Sequence, residues 1–164
     1  MRAYTLKQPW AWAICHFTGT DAYKPKRTEN RSFRPHGIEL GDPIGIHAGK
    51  TIDRKALEML RDILKVPIPE EDLALGAFVG VAPFRGVKRR DGFDTRDPWY
   101  SPGCFGTMLG QPVVFEPVPA TGNLGCWTVP ESDRLTGEPI LQQLREAMER
   151  PVEPAEAIRL WRSR

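Results

Sequence analysis

Three ionisable side chains stand close enough along the chain to act as one group: Lys26, Glu29 and Arg31, in the run Lys26-Arg27-Thr28-Glu29-Asn30-Arg31-Ser32-Phe33. On an extended strand Glu29, Arg31 and Phe33 share one face, and Thr28, Asn30 and Ser32 share the other. A lysine desolvated in a cleft beside a second cation has its charged form disfavoured and can serve as a base, whereas a neighbouring carboxylate holds the proton on it. Arg31 offers a planar fork that donates two hydrogen bonds at once to a phosphate or a carbonyl. The same charges also suit a plain ion network that braces the strand. Upstream, Trp10 offers a face on which a base could stack, a contact worth about 1–3 kcal/mol. Trp12, two positions along the same helix, points elsewhere and reads as core or rim. Downstream, His47 in Ile46-His47-Ala48 is either a satisfied strand histidine or a ligand contact.

Charge is concentrated around this run. Lys24, Lys26, Arg27, Arg31 and Arg34 surround the single carboxylate of Glu29, although the whole chain carries a net charge of only +2. Cations beside aromatic faces suit a phosphate-bearing or base-bearing ligand, or else a solvated basic strand. The near-neutral total argues against strong non-specific DNA binding, which needs many phosphate contacts, and is compatible with a pocket for one or a few nucleotides.

The elements that must hold these residues fit one domain of 164 residues with 40% hydrophobic and 27% charged content. No apolar run approaches a membrane span, and Met1 to Lys7 lacks the apolar block of a signal peptide. Cys15, Cys104 and Cys126 are odd in number and far apart, so buried thiols in a reducing, cytoplasmic setting are expected; no metal site and no cofactor are.

Tyr4–Leu6 reads as a strand, and Pro9 opens a helix over Trp10–Phe17. Glu29–Phe33 and Pro43–Ala48 are strands. Ile52, Ala56, Met59, Leu60 and Ile63 recur at helical spacing between Thr51 and Lys65, with Thr51 or Asp53 as cap, and read as core contacts. Gly76–Ala82 is a strand whose glycines predict a bulge or bend, and Val113–Phe115 and Leu124–Val129 supply two more. Pro117 and Pro119 bar a central strand position. Lys88–Gly103 is one long irregular connection with Lys88, Arg89, Arg90 and Arg96 interleaved with Phe93, Trp99 and Tyr100, and loops of that length in compact domains tend to be functional. Its aromatics either serve a ligand or pin the loop to the barrel. Glu138–Arg150 and Pro154–Arg162 read as charged helices. The fold class is α+β and mainly β: a small bent barrel with flanking helices, residues 1–130, and a helical C-terminal extension, residues 131–164, packed on it.

In order and composition, Gln8-Pro9-Trp10-Ala11, Lys26 through Phe33, Ile46-His47-Ala48, Gly76 through Val81, and Pro117-Val118-Pro119 with Gly122 through Trp127 resemble the ASCH domain of the PUA-like superfamily over roughly residues 4–130. The resemblance implies a PUA-like barrel with a cleft beside the first helix, lined by Lys26, Glu29 and Arg31. It implies binding of single-stranded RNA or a modified nucleotide or nucleoside, and Trp10 and His47 stand beside that cleft as candidate further contacts. A small branch of that family deacetylates N4-acetylcytidine, which implies an alternative in which Lys26 and Glu29 serve a nucleoside amidohydrolase or a ribonuclease. That branch carries threonine where this chain has Glu29, and here Thr28 falls on the opposite strand face. Pro25 stands where the family has glycine, after an insertion over residues 21–24. A third reading is an adaptor whose C-terminal helices mediate association without nucleic acid.

Overall fold

The computed structural model describes residues 1–92, 94 and 96–164; Phe93, one of the loop aromatics named above, lies outside the described residues. The chain opens with strand β1 (Arg2–Gln8) and turns into helix α1 (Trp10–Cys15), two residues shorter at its end than the spacing predicts. Gln8 makes this junction. Its buried side chain accepts the Trp12 N–H at 3.0 Å, satisfying one free donor of the first turn, and donates to the Ala74 carbonyl at 2.9 Å.

Strand β2 (Thr28–Arg31) stops two residues short of Phe33. Strand β3 (Pro43–Ile52) runs on past Ala48 into helix α2 (Arg54–Leu64), where Asp53, not Thr51, is the cap and accepts the Ala56 N–H at 3.0 Å. After a short 3-10 turn at Glu70–Asp72 come β4 (Ala77–Lys88), β5 (Phe105–Leu109), β6 (Val113–Pro119) and β7 (Cys126–Thr128). Helices α3 (Ile140–Met148) and α4 (Pro154–Arg162) close the chain.

The seven strands form one curled, half-barrel sheet in the order β2-β5-β4-β3-β1-β7, with β6 also on β4. The β1–β3 pair is parallel and the others antiparallel. The twelve-residue β4 organises the curl, because its first half pairs with β3 and β6 and its second half with β5. Its glycines bend it as expected: the register against β6 shifts between Phe78 and Gly80. A Cβ at Gly80 would stand 2.8 Å from Cys15 Sγ, so the same glycine lets α1 lie directly on the sheet. Among the described residues the proline-bearing β6 pairs with β4 alone.

Apolar faces close around this sheet in three clusters. Tyr4, Ile14, Ile46, Val79 and Phe84 fill the inside of the curl beneath α1, and Ala157 of α4 joins them. Ala3, Phe78, Phe115 and Trp127 meet Ile140 and Leu144 of α3. Trp12, Phe17, Leu57, Leu60 and Leu64 bind α1 to α2, with Trp12 stacked on Phe17 at 5.6 Å. The architecture is therefore mixed and mainly β, with helices flanking a curled sheet and helical C-terminal elements. Among the described residues no helix is long and apolar enough to cross a membrane.

Candidate functional site

Lys26 enters the site from a loop tied to α1, where its own N–H bonds the Ala13 carbonyl at 3.1 Å. Its ammonium then turns inward, with only 3% of the residue exposed, and donates to Glu29 Oε2 at 2.9 Å and to the Thr28 carbonyl. An ammonium has three donors, so one remains. Glu29 projects from β2 on the face that its cross-strand partner Thr107 also occupies, and its other oxygen lies 3.3 Å from Arg31 Nε. The indole of Trp10, at the start of α1, stands with its centroid 5.9 Å from the Lys26 ammonium.

These three residues open onto a cavity of about 630 Å³. Its aromatic rim is Trp10, Tyr23, Trp99 and Tyr100, and Asn30 adds an amide. A third side comes from Met59, Leu60 and Ile63 of α2. This corrects the reading of α2 as core throughout: Leu60 is buried, but Met59 and Ile63 are 43% and 42% exposed. The apolar stripe on α2 is wider than the face that α1 covers, and its uncovered edge becomes cavity wall.

The fourth side is the β4–β5 connection, from Pro98 to Cys104. Its position is set by the other face of β2. Thr28 donates its hydroxyl to Asp97 at 2.5 Å, and Asn30 clamps the loop twice, donating to the Trp99 carbonyl at 2.7 Å and accepting the Ser101 N–H at 2.9 Å. Asp97 also receives the Lys88 ammonium and the Trp99 N–H. Burial works against the Asp97 carboxylate, but those hydrogen bonds outweigh it and hold its pKa below the usual range. Lys88 is pushed the opposite way: burial disfavours its ammonium, yet Asp97 and Asp94 raise its pKa above that of a free lysine. The Trp99 indole donates to the Lys24 carbonyl at 2.8 Å, which joins the loop to the segment leading into β2.

Arg31 does not line this cavity. Its guanidinium lies over the Tyr4 ring at 4.9 Å and donates to the Thr5 carbonyl at 3.2 Å, spanning from β2 to β1. Among the described residues β2 pairs only with β5, so Arg31 bridges the seam that strand pairing leaves open. Tyr4, buried beneath it, has its phenol pushed up to about 12 by burial. His47 also lies apart from the cavity, in mid-strand against Phe78 and Trp127, with Nε2 3.0 Å from the Ala120 carbonyl. Burial lowers its pKa, which favours the neutral ring, and its other ring nitrogen, Nδ1, has no partner among the described residues.

The local positive excess around Glu29 is thus mostly internal. Lys26 is paired, and Arg27 donates to the Ile14 and Lys26 carbonyls at 2.9 and 2.8 Å, and Arg31 closes the seam. Lys24 and Arg34 remain on the surface. What the cavity offers is an apolar, aromatic-rimmed volume with one charged pair and one amide in its walls. The pair sums to no net charge, while presenting both donor and acceptor. Clefts of this size and lining take small, flat, partly polar molecules.

No family model matches the chain, and no curated protein is significantly similar to it.

Proposed function

We propose that this chain is an ASCH-like domain of the PUA-like kind that binds the base of an RNA or modified nucleotide in the cavity between α1, α2 and the β4–β5 connection. The observation that carries this reading is the buried Lys26–Glu29 pair opening into an aromatic-rimmed cavity beside Trp10. A nucleobase needs an aromatic face to stack on and a donor–acceptor pair for its polar edge, and Trp10, Lys26, Glu29 and Asn30 supply both. The charge balance of the pair favours a neutral base over a free phosphate. The setting assigned to this activity is cytoplasmic.

The experiment is a titration of the protein with the four ribonucleosides and N4-acetylcytidine, followed by tryptophan fluorescence and calorimetry. Saturable binding of at least one, weakened about tenfold or more by Trp10→Ala, is the expected result, since a lost base stack costs about 1–3 kcal/mol. No binding by any of them sinks the reading.

The same buried pair favours one second reading, an amidohydrolase acting on an acylated nucleoside, with the Glu29 carboxylate accepting the proton of the attacking water and the Lys26 ammonium polarising the acyl carbonyl through its remaining donor. The Thr28 hydroxyl is occupied by Asp97 on the far strand face, so water would be the attacking group. Chromatography of N4-acetylcytidine after incubation decides it: appearance of cytidine and acetate, abolished by Lys26→Met, establishes the enzyme.

A further inference from the structure

A second concavity lies against the first, and its chemistry is different. It has a volume of about 810 Å³ and is lined by Arg34, Arg89 and Arg90, with Asp91 and Phe105 beside them. The two concavities share a wall. Pro102 and Cys104 face the base cavity, while Gly103 and Phe105 face this groove.

The arginines here are available in a way that those around Glu29 are not. Arg34 is exposed and has no side-chain partner among the described residues. Arg89 pairs with Asp91 at 3.0 Å, but their side chains are 82% and 73% exposed, and a pair so solvated is weak and readily exchanged. Arg90 donates through Nε to the Gly103 carbonyl at 2.7 Å, which fixes its guanidinium against the shared wall. Its terminal N–H groups have no protein partner among the described residues. By contrast, Lys88, the neighbouring cation, is turned inward onto Asp94, Asp97 and the Tyr100 ring. The one ammonium in the base cavity's walls is already paired with a carboxylate, so the cavity offers a phosphate no unpaired cation among the described residues.

We propose that the Arg34–Arg89–Arg90 groove is a phosphodiester site, over which a single-stranded RNA continues when one of its bases enters the neighbouring cavity. The proposal rests on the base-binding reading and adds that the ligand is a polymer. Guanidinium forks match phosphate oxygens in pairs, and single-strand sites typically join a cationic track to an aromatic base platform.

The test is an anisotropy titration of the intact protein with a fluorescein-labelled mixed-sequence RNA dodecamer at several salt concentrations. The nucleoside titration is run in parallel. Replacing Arg34, Arg89 and Arg90 together by Ala is expected to weaken RNA binding by about tenfold or more and to reduce the logarithmic salt slope by about 2, with nucleoside binding unchanged. Arg34→Glu alone, at a position whose side chain holds nothing in the fold, should act in the same direction without lowering the melting temperature. The control removes three exposed cations from α3 and α4, Arg145, Arg159 and Arg162, and should leave RNA affinity within about twofold because none lines the groove. Equal losses in control and groove variants, RNA affinity unchanged in the groove variant, or no RNA binding by the parent would each overturn the proposal. RNA binding that depends on the groove arginines in a protein blind to every nucleoside would keep the phosphate site and reject the base cavity instead.

Discussion

The Lys26 ammonium and the Glu29 carboxylate meet at 2.9 Å with only 4% and 11% of their side chains exposed, and Arg31 stands 3.3 Å from the other oxygen of that carboxylate. One anion therefore serves two cations out of bulk water. Glu29 is the only carboxylate paired with either cation among the described residues, and a buried charge stripped of its partner has lost its hydration and gains nothing in return. Glu29→Ala is expected to destabilise the protein by about 3–5 kcal/mol in denaturant titration. The double replacement Lys26→Met with Glu29→Met should recover part of that loss, since the buried ammonium goes with its partner and only the more exposed Arg31 is left without the carboxylate, while abolishing nucleoside binding. A double variant as unstable as the single one would show that packing, and not charge matching, makes Glu29 indispensable.

Asn30 is expected to govern the cavity wall. Asn30→Ala removes the partner of both the Trp99 carbonyl and the Ser101 N–H, at a cost of about 1–3 kcal/mol. Hydrogen exchange should accelerate at Ser101 and its neighbours, with β1 and β3 unchanged, and nucleoside affinity should fall with it. Unaltered exchange in the loop would mean that the Asp97 cluster alone holds it.

Arg31→Ala should lower stability by about 1–3 kcal/mol, through the lost contacts to the Thr5 carbonyl and the Tyr4 ring. Arg31→Lys should restore little of it, because an ammonium cannot lie flat on a ring and reach a carbonyl as a guanidinium does. Melting curves of the two variants beside Arg34→Ala check this. Arg34→Ala, whose side chain faces solvent, should melt with the parent.

Acid sensitivity should come from His16. It is buried at the end of α1, neither ring nitrogen has a partner among the described residues, and burial lowers its pKa from 6.5 to about 4. The folded protein therefore binds that proton less readily than the unfolded chain does. Its contribution is fully present above pH 6.5 and is lost as pH falls toward 4, amounting to about 3 kcal/mol. His47, also lowered by burial, acts in the same direction. Stability measured across that window should flatten in His16→Leu. An unchanged slope would assign the effect to His47 or to the carboxylates.

The curled sheet was legible wherever a local signal was strong. Pro9 marked the start of α1, the glycines of β4 marked its bend, and the prolines of β6 kept it from a central position. Strand β5 was not legible. Phe105 to Leu109 shows no alternation, since Gly106 sits where the loop packs down, with Thr28 Cγ2 and Tyr100 Cδ2 2.8 and 3.0 Å from where a Cβ would be. The run is a strand because β2 and β4 flank it, a tertiary cause with no sequence period. The early end of β2 has the same origin, since its pairing with β5 ends at Arg31 opposite Phe105.

In the candidate site, the strand pattern put Glu29 and Thr28 on opposite faces, and the structure keeps that division. It could not tell which cations around Glu29 would be consumed by backbone carbonyls and ring faces. Nor could helical spacing say that Met59 and Ile63 belong to the uncovered edge of α2, because periodicity locates an apolar stripe but not what covers it.

The β4–β5 connection begins and ends on paired residues, with Lys88 opposite Gly106 and Val87 opposite Thr107. Its anchorage therefore resides in the ladder and in the clamp that Thr28 and Asn30 place on Asp97, Trp99 and Ser101. The buried Tyr100 adds an internal tie, donating its phenol to the Arg89 carbonyl at 2.6 Å, whereas exposed positions such as Pro98 and Pro102 can vary without unpicking the sheet. That makes the segment an interchangeable module in which one wall of the cavity and part of the arginine groove are encoded together. A graft that preserves those three clamped positions would change both selectivities in a single exchange, and directed evolution of ligand preference should accumulate its first changes there, not in β2.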